Sequence, residues 1–306
     1  MTITDRYTAT EFKKGDAFVV RIDGICGLDV GKTFDCGQCF RFDEVTNSAH
    51  EKEFSGVAYG RFVSFAQDGD TLYIYGSTLC EYENIWKRFL DIERDYCLVE
   101  SDILANMPSE ALSRACEYGR GIRILRQDAF ECVISFIISQ NNNIPRIKKI
   151  IEALSRECGE PISIGEEMSK HLSGCSSLCS FPTPQTIYAL GESGLYGLKM
   201  GFRAKYVFDA VSKILSGEVS LDEIAELDDT DIAIERLCVV KGIGVKVASC
   251  ALLFGFARLD AFPVDVWIKR ALQKHFPNKE ISSGKSFGAY AGIAQQYLFY
   301  YERYNG

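Results

Sequence analysis

A lysine at the start of an apolar helix and an aspartate after a proline are the residues best placed here to do chemistry. Lys246 follows Lys241-Gly-Ile-Gly244 and is set among Val245, Val247, Ala248, Ala251 and Leu252. An amine in a first helical turn, at the positive end of the dipole and partly desolvated, is a candidate nucleophile. Asp265 stands in Phe262-Pro-Val-Asp265-Val-Trp-Ile-Lys269, at the N-cap position of the next helix. A carboxylate there could stabilise positive charge developing near the amine. The residue types alone also allow Lys246 to be a snorkelling surface lysine and Asp265 a plain cap.

The elements that must hold this pair read as follows. A helix over Asp231–Val240, with Thr230 as its cap, gives way to the Gly-x-Gly turn and then to a helix from Val245 to about Phe256. This is a helix–hairpin–helix. Its glycines let the backbone approach a phosphate, and the second helix presents free N–H groups to it. Helical periodicity starts near residue 84 and recurs in Phe130–Ile138, Ile147–Leu154, Tyr206–Ile214 and Ile268–Phe276. Pro145 lies near the start of one helix, Gly217 just past the end of another, and Pro277 ends the last.

Before that the chain is β-rich, over Ala17–Ile22, Cys39–Asp43, Gly56–Ala66 and Thr71–Tyr75, with a hairpin signal at Gln67-Asp-Gly-Asp70. An antiparallel sheet with one covered face is expected. The fold class is therefore α+β: an antiparallel β-sheet domain over 1–120, then a larger all-helical body over 121–306.

With 306 residues, 47% hydrophobic and 25% charged, the chain can bury a sizeable core. No apolar run is long enough to span a bilayer, so no membrane partner is expected. Met1–Lys14 lacks the apolar stretch of a signal peptide, and an intracellular monomer is expected, cytoplasmic in a bacterium or nuclear in a eukaryote. The net charge of −8 argues weakly against nucleic acid. Yet basic residues cluster at Arg146/Lys148/Lys149, Lys199/Arg203/Lys205, Lys241/Lys246 and Lys269/Arg270/Lys274. Twelve cysteines at irregular spacing read as reduced, buried thiols. Cys36/Cys39 with Cys175/Cys179 leave a zinc site open as the less favoured alternative.

Three longer motifs resemble one family. Leu125-Arg-Gln-Asp-Ala-Phe-Glu-Cys-Val-Ile-Ser-Phe-Ile-Ile-Ser-Gln-Asn-Asn-Asn143-Ile-Pro-Arg146, Gly201-Phe-Arg-Ala-Lys-Tyr206 and Cys36-Gly-Gln-Cys-Phe-Arg41 are similar to segments of the 8-oxoguanine DNA glycosylases. That family lies within the helix–hairpin–helix glycosylase superfamily. The likeness is strong over 120–275, moderate at 35–45 and 291–300, and faint elsewhere.

The resemblance implies a bifunctional glycosylase and abasic-site lyase acting on double-stranded DNA that contains 8-oxoguanine. It implies Lys246 and Asp265 as the catalytic pair. Gly37, Cys250, Gln295 and Phe299 would bind the flipped base. Asn141, Arg146 and Arg203 would grip the orphaned cytosine, with Phe202 as a wedge beside it. Gly242, Gly244 and Val247 would give N–H groups to phosphate. No cofactor is implied, save a structural monovalent or calcium ion held by hairpin carbonyls. Three departures stand out: Lys241 replaces a proline, Cys36 and Cys39 replace serines, and Trp267 replaces a histidine that would touch the target phosphate. Two other functions stay open on residue types: a glycosylase for another lesion such as an alkylated base, and a non-enzymatic DNA-binding module using the hairpin alone.

Overall fold

The computed structural model describes residues 7–173, 178–277 and 284–305. Six strands come first: β1 Thr8–Lys14, β2 Ala17–Asp23, β3 Phe42–Glu44, β4 Lys52–Ala58, β5 Arg61–Asp68 and β6 Thr71–Tyr75. They form one antiparallel sheet in the order β1-β2-β6-β5-β4-β3. The apolar run Gly56–Ala66, expected as one strand, is a hairpin. Tyr59 and Gly60 turn the chain at φ 51° and 69°, the left-handed pair of a two-residue loop. The strand expected over Cys39–Asp43 is confined to Phe42–Glu44.

Both faces of the sheet are covered, where one was expected. Val20, Ile22, Phe54, Phe65, Leu72 and Ile74 pack inward with Phe34, Trp86 and Phe89. Their neighbours Ala17, Val19, Val57, Phe62, Ala66 and Tyr75 face the other way, onto Met168, Ile162 and Ile164. The adjacent pair Val19-Val20 shows why: successive strand residues point to opposite faces, so two apolar neighbours need two covers. On that second face Glu53 accepts from His171 Nδ1 at 2.5 Å and from Ser64 at 2.6 Å.

The helices follow in chain order. Within or just after the strand region come α1 Val30–Asp35, α2 Leu79–Glu81, a π-turn at Tyr82–Trp86, α3 Lys87–Phe89, α4 Tyr96–Asn106 and α5 Glu110–Gly119. Then come α6 Ala129–Ser139, α7 Ile144–Cys158, α8 Glu166–Ser169, α9 Pro184–Gly197, α10 Arg203–Ser216 and α11 Leu221–Glu226. The last are α12 Thr230–Cys238, α13 Val245–Gly255, α14 Val266–His275, a 3-10 turn at Gly284–Tyr290, and α15 Ala291–Asn305. Asp229, not Thr230, caps α12, accepting from Asp231 N at 2.7 Å, because it is Asp229 whose carboxylate meets the first free amides. Every residue of α13 from Val247 to Phe254 is buried, which makes it the central helix of the body. That core also takes in Val99, Ile103 and Leu112 of α4 and α5, and Cys36 and Phe40 from the sheet region. Fully burying one such large apolar side chain contributes about 1.5–3 kcal/mol. No described helix is long and apolar enough to cross a membrane.

Candidate active site

The hairpin is built as its glycines require. Gly242 has φ 86°, and a Cβ there would lie 2.4 Å from the Tyr206 ring. Only glycine fits. Gly244 is the N-cap of α13 and offers no side chain to its first turn. The amides of Val245, Lys246 and Val247 are thus left for an acceptor from outside, such as phosphate. Around the turn, Val239 O accepts from Lys213 Nζ at 2.7 Å and Val240 O from Ile243 N at 3.0 Å. Main-chain oxygens that could face an ion are therefore partly engaged within the chain.

Lys246 and Asp265 line one cleft of about 420 Å³. Gly37, Cys250, Trp267, Gln295 and Phe299 line it too. Lys246 is half-buried, with Nζ 5.7 Å from the centre of the Phe136 ring. Asp265 caps α14, its Oδ1 accepting from Ile268 N at 2.8 Å. Among the described residues no ion pair joins Lys246 and Asp265. The aspartate is held by the helix start, and the amine is not neutralised by it.

The far wall is made for a flat, polar-edged group. Gln295 is 5% exposed, and its Oε1 is buried with no hydrogen-bond partner. An unsatisfied buried carbonyl oxygen costs about 1–3 kcal/mol, and this one belongs to a side chain that lines the cleft. Gly37 has φ 79°, and a Cβ there would lie 3.7 Å from Phe299 Cε1. Burial pushes the Cys250 thiol up, against the pull of the nearby Lys246 charge. It also pushes Cys36 up to about 12. These are neutral, apolar thiols and not reactive ones. Cys36 donates to Thr33 O at 3.2 Å. Among the described residues no group of three or more His, Cys, Asp or Glu side chains is set to hold a metal ion, and Cys175 lies outside them.

A second cluster stands at the start of α7 and α10. Asn141, with φ 48°, Arg146 and Phe202 are exposed, and Arg146 reaches Lys199 O at 3.5 Å. Arg203 is turned inward at 3% exposure. Its guanidinium donates to the carbonyls of Gln140, Asn141 (2.8 Å) and Met200 (3.3 Å), and stacks 4.5 Å from Phe202. In this state it organises the asparagine loop.

Residues 134–289 match the family described as HhH-GPD superfamily base excision DNA repair protein. Residues 25–133 match the 8-oxoguanine DNA glycosylase N-terminal domain. This chain belongs to the 8-oxoguanine DNA glycosylases of the HhH-GPD superfamily. It is 31% identical over 251 residues to the probable N-glycosylase/DNA lyase of Methanothermobacter thermautotrophicus, covering 73% of this chain and 74% of that one. A solved structure of the Clostridium acetobutylicum 8-oxoguanine glycosylase/lyase, in complex with duplex DNA bearing cytosine opposite 8-oxoG, superposes with TM-score 0.84. The two are 34% identical, over 97% of this chain and 98% of that one. The 3-methyladenine DNA-glycosylase of Archaeoglobus fulgidus, at 19% identity and TM-score 0.68 over 94% and 99% of the chains, shares the fold. The protein is a DNA N-glycosylase with associated lyase activity.

Measured against its glycosylase relatives, the departures acquire physical content. Lys241 carries the backbone N–H that proline lacks, and donates it to Asp209 Oδ2 at 2.7 Å. Trp267, 37% exposed, sits on the first turn of α14 at the cleft rim, with Arg270 5.6 Å from its ring. Sequence reasoning missed Phe136, Ser139, Gln296 and Arg303, which also line the cleft. Phe136 sits in an apolar helical run and reads as core. Gln296, beside Gln295, is legible only as a second glutamine.

Proposed function

We propose that this glycosylase/lyase excises 8-oxoguanine from duplex DNA as a monomer, with cytosine as the preferred partner of the lesion. The observation that carries the reading is the cleft itself. Lys246 and Asp265 share it with Gln295, whose buried amide oxygen has no partner, and with Cys250 and Phe299. A base can enter such a cleft only when flipped out of the stack.

The chemistry follows from the groups present. The Lys246 amine attacks C1′ as the C1′–N9 bond breaks, and the base departs with the bonding pair and takes a proton. The Asp265 carboxylate stabilises the positive charge that grows on the sugar. The aminal opens to a Schiff base, freeing O4′ as a hydroxyl. Loss of a C2′ proton then expels the 3′ phosphate. The Gly37 carbonyl accepts from N7–H, which 8-oxoguanine carries and guanine lacks, and Gln295 reads the Watson–Crick edge. The uncapped start of α13 and the Trp267 rim take backbone phosphates. Asn141, Arg146 and Arg203 read the orphaned cytosine, with Phe202 filling the gap. For Arg203 this requires release from the Gln140–Asn141 carbonyls.

A panel of duplexes bearing 8-oxoguanine, guanine, an alkylated purine or an abasic site, scored for base loss and strand scission on gels, tests the reading. Scission at 8-oxoguanine but not at guanine is the expected result. Equal action on both, or action on the alkylated purine alone, would overturn it.

A further inference from the structure

The turn that carries Gly37 is held from both sides by donors that touch its neighbours and leave it free. Arg303 Nη1 donates to Asp35 O at 3.4 Å. Gln296 Nε2 donates to Cys36 O at 2.8 Å, fully buried. Gln127 Nε2 donates to Gln38 O at 2.7 Å. Among the described residues no donor reaches the carbonyl of Gly37. The side chain of Gln38 adds a further anchor below the turn, donating to Thr33 O and Arg123 O at 2.8 Å each and accepting from Leu125 N at 2.9 Å.

Three successive roles therefore fall on one helix. Gln295 lines the cleft and keeps a buried amide oxygen without a partner, Phe299 supplies a face, and Gln296 and Arg303 grip the turn opposite. Gln296 is 2% exposed, and its donor group is spent on a main-chain oxygen. A buried amide used this way fixes the peptide plane before Gly37, and the Gln127 bond to Gln38 O fixes the plane after Gln38, so the Gly37 carbonyl is constrained from both sides. Gly37, at φ 79°, adopts a left-handed conformation freely as glycine, so the direction of the turn is set by these hydrogen bonds and not by backbone preference.

We infer that Gln296 is a positioning residue for base discrimination, with Gln127 as its counterpart on the other side of the turn. Together they aim the Gly37 carbonyl at purine position 7. The inference rests on the reading of the cleft as an 8-oxoguanine site, and it adds residues whose donor groups are spent on the turn.

The test pairs a protein change with a change in one atom of the base. Affinities are measured in a Lys246→Gln background, which blocks the chemistry, for duplexes carrying 8-oxoguanine or 7-deaza-8-oxoguanine opposite cytosine. The analogue has C–H in place of N7–H and keeps the rest of the outline. Gln296→Met keeps side-chain length and removes the donor.

The expected result is that Gln296→Met weakens binding of 8-oxoguanine duplex about tenfold, the scale of one hydrogen bond, while the analogue duplex is bound as before. Equal loss on both duplexes, or loss on neither, would overturn the proposal. Thermal unfolding identifies a variant that has not folded, and in that case Gln127→Met serves as the same test. Excision of 8-oxoguanine against guanine by the unmodified enzyme checks the underlying reading separately. If that selectivity holds and the variant contrast fails, only the positioning role falls.

Discussion

Arg203 donates to the main-chain carbonyl of Asn141 at 2.8 Å, so a residue assigned by family likeness to the orphaned base is also a clamp on the asparagine loop. Losing a charged donor to buried carbonyls costs about 1.5–3 kcal/mol. Arg203→Ala should therefore lower the unfolding midpoint. It should also cut single-turnover excision opposite cytosine more than opposite adenine, guanine or thymine. A phosphate contact would instead weaken all four duplexes alike. A flat profile in the unmodified enzyme would remove the basis for the cytosine preference.

Asp265 both caps α14 and faces the cleft, and the substitution Asp265→Asn separates the two roles. The amide oxygen that replaces Oδ1 can still accept from Ile268 N, so stability should change by less than the roughly 1 kcal/mol of a lost cap. The charge is gone, and single-turnover excision should fall on the order of a hundredfold or more. Lys246→Gln should abolish the borohydride-trapped covalent adduct and leave lesion duplex bound. Persistence of the adduct would show that another amine is the nucleophile.

Gln295→Leu should separate stability from activity. The substitution removes a buried oxygen that has no partner in the free protein, so the unfolding midpoint should hold or rise by the equivalent of about 1 kcal/mol. Base excision should fall at least about tenfold as the Watson–Crick contact is lost. Destabilisation with normal excision would argue that Gln295 is plain core.

Glu131 supplies a pH signature. Burial pushes its carboxyl up to about 7, against the pull of Arg41, whose Nη1 lies 3.8 Å away. The folded state then holds a proton that the unfolded chain releases at ordinary carboxylate pH. Stability from this group is present at low pH and is lost as pH rises from about 4.5 to about 7. Glu131→Gln should flatten that part of the stability curve. Urea melts of both proteins at pH 5 and 7.5 measure it, and identical pH slopes would contradict the assignment.

The sequence made the hairpin legible because its signals are local: two glycines, an apolar helix and a cap at Asp265 all fall within one short stretch. β1, whose Thr8–Lys14 residues are nearly all exposed, shows no apolar alternation and gives no strand signal of its own. Both covers of the sheet are hidden for a related reason, since Met168 joins the cluster of Val19 only through tertiary packing. Gln296 and Arg203 show the same limit at the site. Their roles lie in carbonyls far along the chain, and a carbonyl leaves no trace in residue type.

The contact between Gln296 and Cys36 spans 260 positions. Contacts this distant form late, because a long loop must close before they repay its entropy. The pocket therefore has no local precursor during synthesis. In chain order the Gly37 segment comes before Lys246, and α15 follows both. Until α15 packs, Lys246 and the Gly37 turn do not share a pocket wall with Gln295 and Phe299. The complete pocket therefore arrives together with closure of this long-range contact, and not before it.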